Sequence, residues 1–136
     1  MLKTTTYRRI QPKTLLNKGT GFLAGYSHTL NPYAGCVYGC SYCYVRRLPV
    51  AVHRGEDWGS WVDIKQGAAE VLRKELQREK AKGPVTIFMS SSTDPYQPVE
   101  HDEQVTCSLL EVMVENPPDF LLLQTRSPLV RRDIDL

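Results

Sequence analysis

The stretch Gly83-Pro84-Val85-Thr86-Ile87-Phe88-Met89-Ser90-Ser91-Ser92-Thr93-Asp94-Pro95 decides the fold. Gly-Pro ends any helix that runs into it, because glycine leaves the helical region easily and proline cannot donate to a preceding carbonyl. Val85–Met89 is short, apolar and rich in strand-forming side chains, which predicts a buried strand. The polar run Ser90–Asp94 then predicts a loop at the C-terminal end of that strand. In parallel α/β sheets that rim is where ligands bind.

Working outward, a helix is predicted upstream over roughly Asp63–Lys82, with Ile64, Ala68, Val71, Leu72 and Leu76 on one face and Lys and Glu opposite. Downstream, a second helix is predicted over roughly Asp102–Glu115 with Val105, Leu109, Val112 and Met113 as its apolar face. Pro117-Pro118 ends it. Phe120–Thr125 reads as a second buried strand, tipped with Arg126 and Ser127. A short strand near Gly25–Leu30 leads into Asn31-Pro32-Tyr33-Ala34-Gly35 and then into a cysteine-rich loop. Strand, helix, strand, helix, strand is the pattern of an α/β fold with parallel strands and flanking helices. Residues 1–25 read as an N-terminal extension and 26–136 as the folded core. A complete eight-unit barrel takes about 250 residues, so 136 residues predict an open or partial (β/α) barrel, truncated after about three strands, or a sheet covered by another subunit.

The bulk numbers exclude several classes. A net charge of +2 does not by itself imply nucleic acid, and the pairs Arg8-Arg9, Arg46-Arg47 and Arg131-Arg132 read as solvated surface. No apolar run approaches the ~20 residues of a membrane span, and Met1–Arg9 lacks the apolar core of a signal peptide. The expectation is a cytoplasmic protein with reduced thiols and no membrane partner, where clustered cysteines serve as metal ligands or redox groups.

The chemistry is expected at Cys36, Cys40 and Cys43, in the run Cys-Val-Tyr-Gly-Cys-Ser-Tyr-Cys. Three soft thiolates with no local fourth ligand leave one metal position open, which suits an iron–sulfur cluster better than a closed structural site. Gly35 and Gly39 keep the loop irregular and let backbone approach a bulky ligand. The alternative is a zinc site completed by His28 or His53, in a non-catalytic zinc or iron–sulfur module that binds nucleic acid. Cys107, on the second predicted helix, reads as a buried small hydrophobe.

Cys-x3-Cys-x2-Cys with Tyr42 before its last cysteine closely resembles the motif of the radical S-adenosylmethionine superfamily. Cys40-Ser41-Tyr42-Cys43-Tyr44 is similar in particular to the spore photoproduct lyase branch. The resemblance covers roughly residues 28–132. It implies a 4Fe–4S cluster on Cys36, Cys40 and Cys43, with its remaining iron chelated by S-adenosylmethionine. One electron from a flavodoxin- or ferredoxin-type donor would cleave the sulfonium to methionine and a 5′-deoxyadenosyl radical. It further implies that Tyr42, Tyr44 and Thr93 contact the cofactor, with Ser92 and Asp94 as further candidates. Arg126, standing where the lyases have lysine, would hold the methionine carboxylate through its two-pronged guanidinium. The substrate is not in the sequence: DNA is a fold-level analogy, and peptide and small-molecule substrates stay open. The lyases carry a hydrogen-donating cysteine where this chain has Ser91, and an O–H bond is a much poorer hydrogen-atom donor to a carbon radical.

Overall fold

The structure is a computed structural model that describes residues 5–39 and 43–136, without the side chains of Phe22, Tyr44 and Arg46. In chain order the elements are β1 (Thr6–Ile10), β2 (Leu16–Lys18), β3 (His28–Leu30), β4 (Tyr33–Ala34), α1 (Pro49–Val52), β5 (Trp61–Lys65), α2 (Ala68–Lys82), β6 (Thr86–Met89), α3 (Glu100–Glu103), α4 (Val105–Glu115) and β7 (Phe120–Leu123), with 3-10 turns at Gly21–Leu23, Tyr44–Arg47 and Pro128–Asp133. Among the described residues the strands form two sheets, ordered β1-β5-β4 and β2-β3-β6-β7. The second sheet holds the parallel unit β3-α2-β6-α4-β7, and β2 joins it antiparallel at the other edge. The small sheet pairs β1 parallel and β4 antiparallel with β5. The architecture is therefore mixed α/β, and no barrel closes among the described residues.

The core lies between the second sheet and its two long helices. Leu72 and Leu76 of α2 and Leu109, Val112 and Met113 of α4 meet Leu30, Ile87 and Met89 of the strands. The opposite face of that sheet carries a different apolar set. Tyr26 stacks edge-to-face on Phe88 with ring centroids 5.3 Å apart, and Phe120 lies 6.3 Å from Tyr26. In register, Thr86 pairs with Phe120 and Phe88 with Leu122. Phe120 remains 53% exposed, because β7 is an edge strand.

Four expectations need correction. The predicted helix Asp63–Lys82 is two elements: a strand, Trp61–Lys65, and a helix that begins only at Ala68. Gly67, at φ 72, breaks the chain between them. Ile64 matched the helical spacing by coincidence, and the β-branched alternation Val62-Asp63-Ile64 was the stronger signal. The predicted helix Asp102–Glu115 begins earlier, at Glu100, and breaks at Gln104, whose φ is 53. Phe120–Thr125, expected to be fully buried, is a half-exposed edge strand that ends at Leu123. Residues 1–25, expected to be an extension, supply β1 and β2, and Leu15 is fully buried in the core.

Buried carboxylates fasten these pieces together. Glu75 on α2 accepts hydrogen bonds from the Leu15 and Leu16 amides at 2.6 and 3.3 Å, which ties the start of β2 to the helix. Asp133 in the last 3-10 turn accepts from the Arg132 guanidinium at 2.8 Å and from the Tyr96 hydroxyl at 2.9 Å. The Arg132 guanidinium holds the Asp133 carboxyl below the usual aspartate range, against the upward pull of burial. A carboxyl depressed in the folded state stabilises above its unfolded pKa, and that stability is lost as pH falls through the folded value. Thermal melts of the wild-type chain and Asp133→Asn should therefore differ by a constant amount from pH 7 down to about pH 4 and converge only as the pH falls further. A difference that persists undiminished down to about pH 1 would contradict this assignment.

No helix among the described residues is long and apolar enough to cross a membrane.

Candidate functional site

One end of the parallel unit holds the site. β3, β6 and β7 run in the same direction, so the segments after Leu30, Met89 and Leu123 emerge on one rim. Together they wall a cavity of about 300 Å3, lined by Cys36, Tyr38 and Cys43, by Val45 and Trp58, by Ser90–Asp94, and by Gln124, Thr125 and Arg126. Of the residues expected to bind metal or cofactor, Cys36, Cys43, Ser92, Thr93, Asp94 and Arg126 all reach this cavity. Cys40 and Tyr42 lie outside the described residues, as does the side chain of Tyr44.

Each wall has a local cause. Asn31, just past β3, reaches across to β6: its side-chain oxygen accepts from the Ser92 amide at 3.1 Å. Ser90 ends β6 with φ 74, a backbone region that non-glycine residues rarely adopt. Its amide donates to the Leu30 carbonyl at 2.7 Å, while its buried hydroxyl has no hydrogen-bond partner among the described residues. Asp94 binds the neighbouring strand end. Its Oδ1 accepts from the Tyr96 amide (2.8 Å) and the Thr125 hydroxyl (2.6 Å), and its Oδ2 from the Arg126 amide (2.9 Å). The Thr93 hydroxyl donates to the Gly35 carbonyl at 2.5 Å. Thr93 and Asp94 thus shape the walls with the groups that were expected to face a cofactor.

Arg126 is oriented by an aromatic partner. Its guanidinium carbon lies 5.0 Å from the centre of the Tyr38 ring, within cation–π range. Burial raises the Tyr38 phenol above its ordinary pKa, so the ring under the guanidinium is neutral at physiological pH.

The cysteine loop is held by close backbone packing. Gly35 has φ 87, and a Cβ added there would sit 2.4 Å from the Trp61 carbonyl and 2.8 Å from its ring. Gly39, at φ 55, approaches Gly59 so closely that a Cβ on Gly59 would lie 2.9 Å from the Gly39 Cα. Trp58 and Trp61 meet edge-to-face at 5.8 Å and, with Val45 and Ala51, form a small apolar cluster against which Cys36 and Cys43 pack. Gly35→Ala is expected to cost about 2–4 kcal/mol, from overlap and from the strained φ. Gly25→Ala, with open space around it, should shift stability by less than ~0.5 kcal/mol. Denaturant melts that rank the two the other way would contradict the packing described.

The histidines considered as zinc ligands are placed elsewhere. His28 starts β3, at the end away from the cysteines, and its ring nitrogens meet Ser27 Oγ at 2.7 Å and Glu79 at 3.1 Å. His53 is exposed after α1. Cys107, expected to be buried, is half-buried on the first turn of α4, with its thiol pushed up to about 11, mainly by burial. It lines a separate groove with Lys65 and Gln104.

Sequence reasoning missed Tyr38, Trp58, Asn31 and Gln97. The tryptophan and tyrosine could have been flagged as aromatics within or near the cysteine run. The two polar residues carry no local signal, because their partners across the cavity are about 60 positions away in the chain.

No family model matches the chain, and no solved structure matches it. It is 34% identical to the uncharacterized protein MJ0683 of Methanocaldococcus jannaschii over 84% of this chain and 40% of that protein. It is 30% identical to the uncharacterized protein Rv2578c of Mycobacterium tuberculosis over 96% of this chain and 39% of that protein. Against the uncharacterized protein ORF301 of Acidianus two-tailed virus the identity is 32%, over 88% of this chain and 40% of that protein. The chain spans about two fifths of the length of these curated relatives.

Proposed function

We propose that this chain is the N-terminal part of a radical S-adenosylmethionine enzyme core, related to the spore photoproduct lyase group. The observation that carries the reading is the meeting of Cys36 and Cys43 with the ends of β6 and β7 around one cavity. A motif resemblance alone requires no such convergence.

The residues present fit the expected cluster and nucleotide. Thiols are the soft ligands that iron–sulfur clusters take, and Cys36 and Cys43 are both half-buried on an apolar wall of Val45 and Trp58. Such a wall lowers the local dielectric and limits solvent access to a cluster. The Ser90 hydroxyl, without a partner among the described residues, and the Arg126 guanidinium supply polar groups on the facing wall. In this reading Cys36, Cys40 and Cys43 hold the cluster, Arg126 receives a carboxylate, and Tyr42 and Tyr44 flank the nucleotide. When bound, the cluster delivers one electron and the nucleotide supplies a carbon-centred radical able to abstract hydrogen from a substrate.

The chain's own residues do the positioning. Asn31 and Asp94 fix the strand ends against one another. Tyr38 holds Arg126 over the cavity, and Trp58 with Val45 covers one side of the cysteines. Because those cysteines are half-buried, an external one-electron donor of the flavodoxin or ferredoxin type has a short path to the cluster. The partial (β/α) barrel fits the same reading. The second sheet is apolar on both faces, with helices on one and Tyr26, Phe88 and Phe120 on the other, as in a segment of a parallel barrel.

Anaerobic reconstitution with iron and sulfide tests the proposal. The expected product is a brown protein with about four irons per chain that forms 5′-deoxyadenosine when given dithionite and S-adenosylmethionine. Bound zinc with no deoxyadenosine would overturn it in favour of a non-catalytic metal module. The His28 contacts with Ser27 and Glu79 weigh against that alternative.

A further inference from the structure

Gln97 is fully buried, and every polar atom of its side chain is used between two loops. Its Oε1 accepts from the Val37 amide at 3.0 Å. Its Nε2 lies 3.3 Å from the Gly35 carbonyl, 3.1 Å from the Thr93 hydroxyl and 3.2 Å from the Asp94 carbonyl. Gly35 and Val37 flank Cys36, so one amide grips the backbone on both sides of that cysteine. The Gly39 amide closes the same turn on the Cys36 carbonyl at 3.3 Å. The far side of the grip is the loop after β6, which forms the facing wall of the cavity.

We infer that Gln97 is a positioning residue that sets the distance and register of Cys36 relative to the loop Ser90–Asp94. The inference rests on the cluster-and-nucleotide reading above and deepens it. Only a carboxamide meets the geometry, because the site presents one donor, the Val37 amide, and three acceptors. Glutamate keeps the acceptor for Val37 but sets a carboxylate oxygen against the Gly35 and Asp94 carbonyls. Methionine keeps the volume, leaves the Val37 amide without its acceptor, and leaves the Gly35 carbonyl to the Thr93 hydroxyl alone. A side chain that only filled space would be indifferent to this donor–acceptor order. The expected consequence of losing it is a Cys36 still able to bind iron, but no longer held at a fixed separation from the wall that meets the nucleotide.

The test compares wild type with Gln97→Glu and Gln97→Met, and with Leu109→Ala as a core variant matched for lost thermal stability. Two readouts are taken. The first is hydrogen exchange of the Val37 amide in the metal-free chain. The second is the change in the electron paramagnetic resonance spectrum of the reduced, iron-loaded chain as S-adenosylmethionine is titrated in. Both Gln97 variants are expected to retain iron and to weaken nucleotide binding about 10–100-fold, and Gln97→Met, which alone removes the acceptor of the Val37 amide, to speed Val37 exchange about 10–100-fold, while Leu109→Ala leaves nucleotide binding near wild type. Equal nucleotide binding in wild type and the Gln97 variants would overturn the role of Gln97 alone. So would an equal loss in Leu109→Ala. No spectral response in wild type would instead overturn the cluster reading itself, and the role of Gln97 toward it.

Discussion

Single replacement of Cys36, Cys40 or Cys43 by alanine is expected to drop bound iron to background and to cut 5′-deoxyadenosine formation by more than about 100-fold. Groups that merely support a metal ligand are worth about 10–100-fold when removed, and a ligand itself exceeds that. The cysteines are not interchangeable with core packing. Cys36 and Cys43 sit at the edge of the small Trp58–Trp61 cluster, so trimming either to alanine removes little buried volume and should leave the fold standing. Cys107→Ala is the control, because its thiol lines a different groove beside Glu111. Iron and product measured on the four variants should separate cleanly into three losses and one wild-type result. A Cys43→Ala chain with full iron and full turnover would contradict the site.

Removing the Glu100 carboxylate is expected to have the largest effect on stability. Glu100 is fully buried. Its Oε1 accepts from the Tyr33 hydroxyl at 2.5 Å and the Thr106 amide at 2.7 Å, and its Oε2 from Arg132 at 2.6 Å and the Cys107 amide at 3.2 Å. One carboxylate therefore caps α4, holds β4 and anchors the last 3-10 turn. It is also why the chain breaks at Gln104: the carboxylate lies under the first amides of α4, where helix dipole and unpaired N–H groups favour a negative charge. Glu100→Ala leaves the Tyr33 hydroxyl and two amides without their acceptor and the Arg132 guanidinium with Asp133 as its remaining carboxylate. The expected cost is about 3–5 kcal/mol, or roughly 10–20 °C in melting temperature for a domain of this size. Glu100→Gln keeps an oxygen acceptor and should cost about half as much. A fall below about 3 °C for Glu100→Ala would show that the network contributes little.

Much of the architecture was legible in the chain, for identifiable reasons. Val85–Met89 and Phe120–Thr125 are apolar runs bounded by Pro or Gly, and the strands Thr86–Met89 and Phe120–Leu123 lie within them. The polar tips of those runs marked the rim of the cavity. What escaped was what depends on distant partners. Thr6–Ile10 reads as polar surface because every residue of it is exposed, yet it pairs with Trp61–Lys65 along its full length. That four apolar letters end in an edge strand, as at Phe120, is a property of the sheet order and not of the letters. Glu75, Gln97 and Glu100 look like ordinary surface residues in the sequence, and only the fold brings backbone amides to them. The cavity shows the same division: the cysteine run, the resemblance and the polar strand tip pointed to Cys36, Cys43, Arg126 and Ser90, which line it, while Gln97 became visible only in three dimensions.

The most direct measurement is electron paramagnetic resonance of the anaerobically reduced, iron-loaded chain, recorded before and after addition of S-adenosylmethionine. Direct chelation of the cluster's remaining iron predicts a clear shift in g values on addition, abolished in Cys43→Ala. A fully loaded, fully reduced cluster with an identical spectrum in both samples would contradict the account.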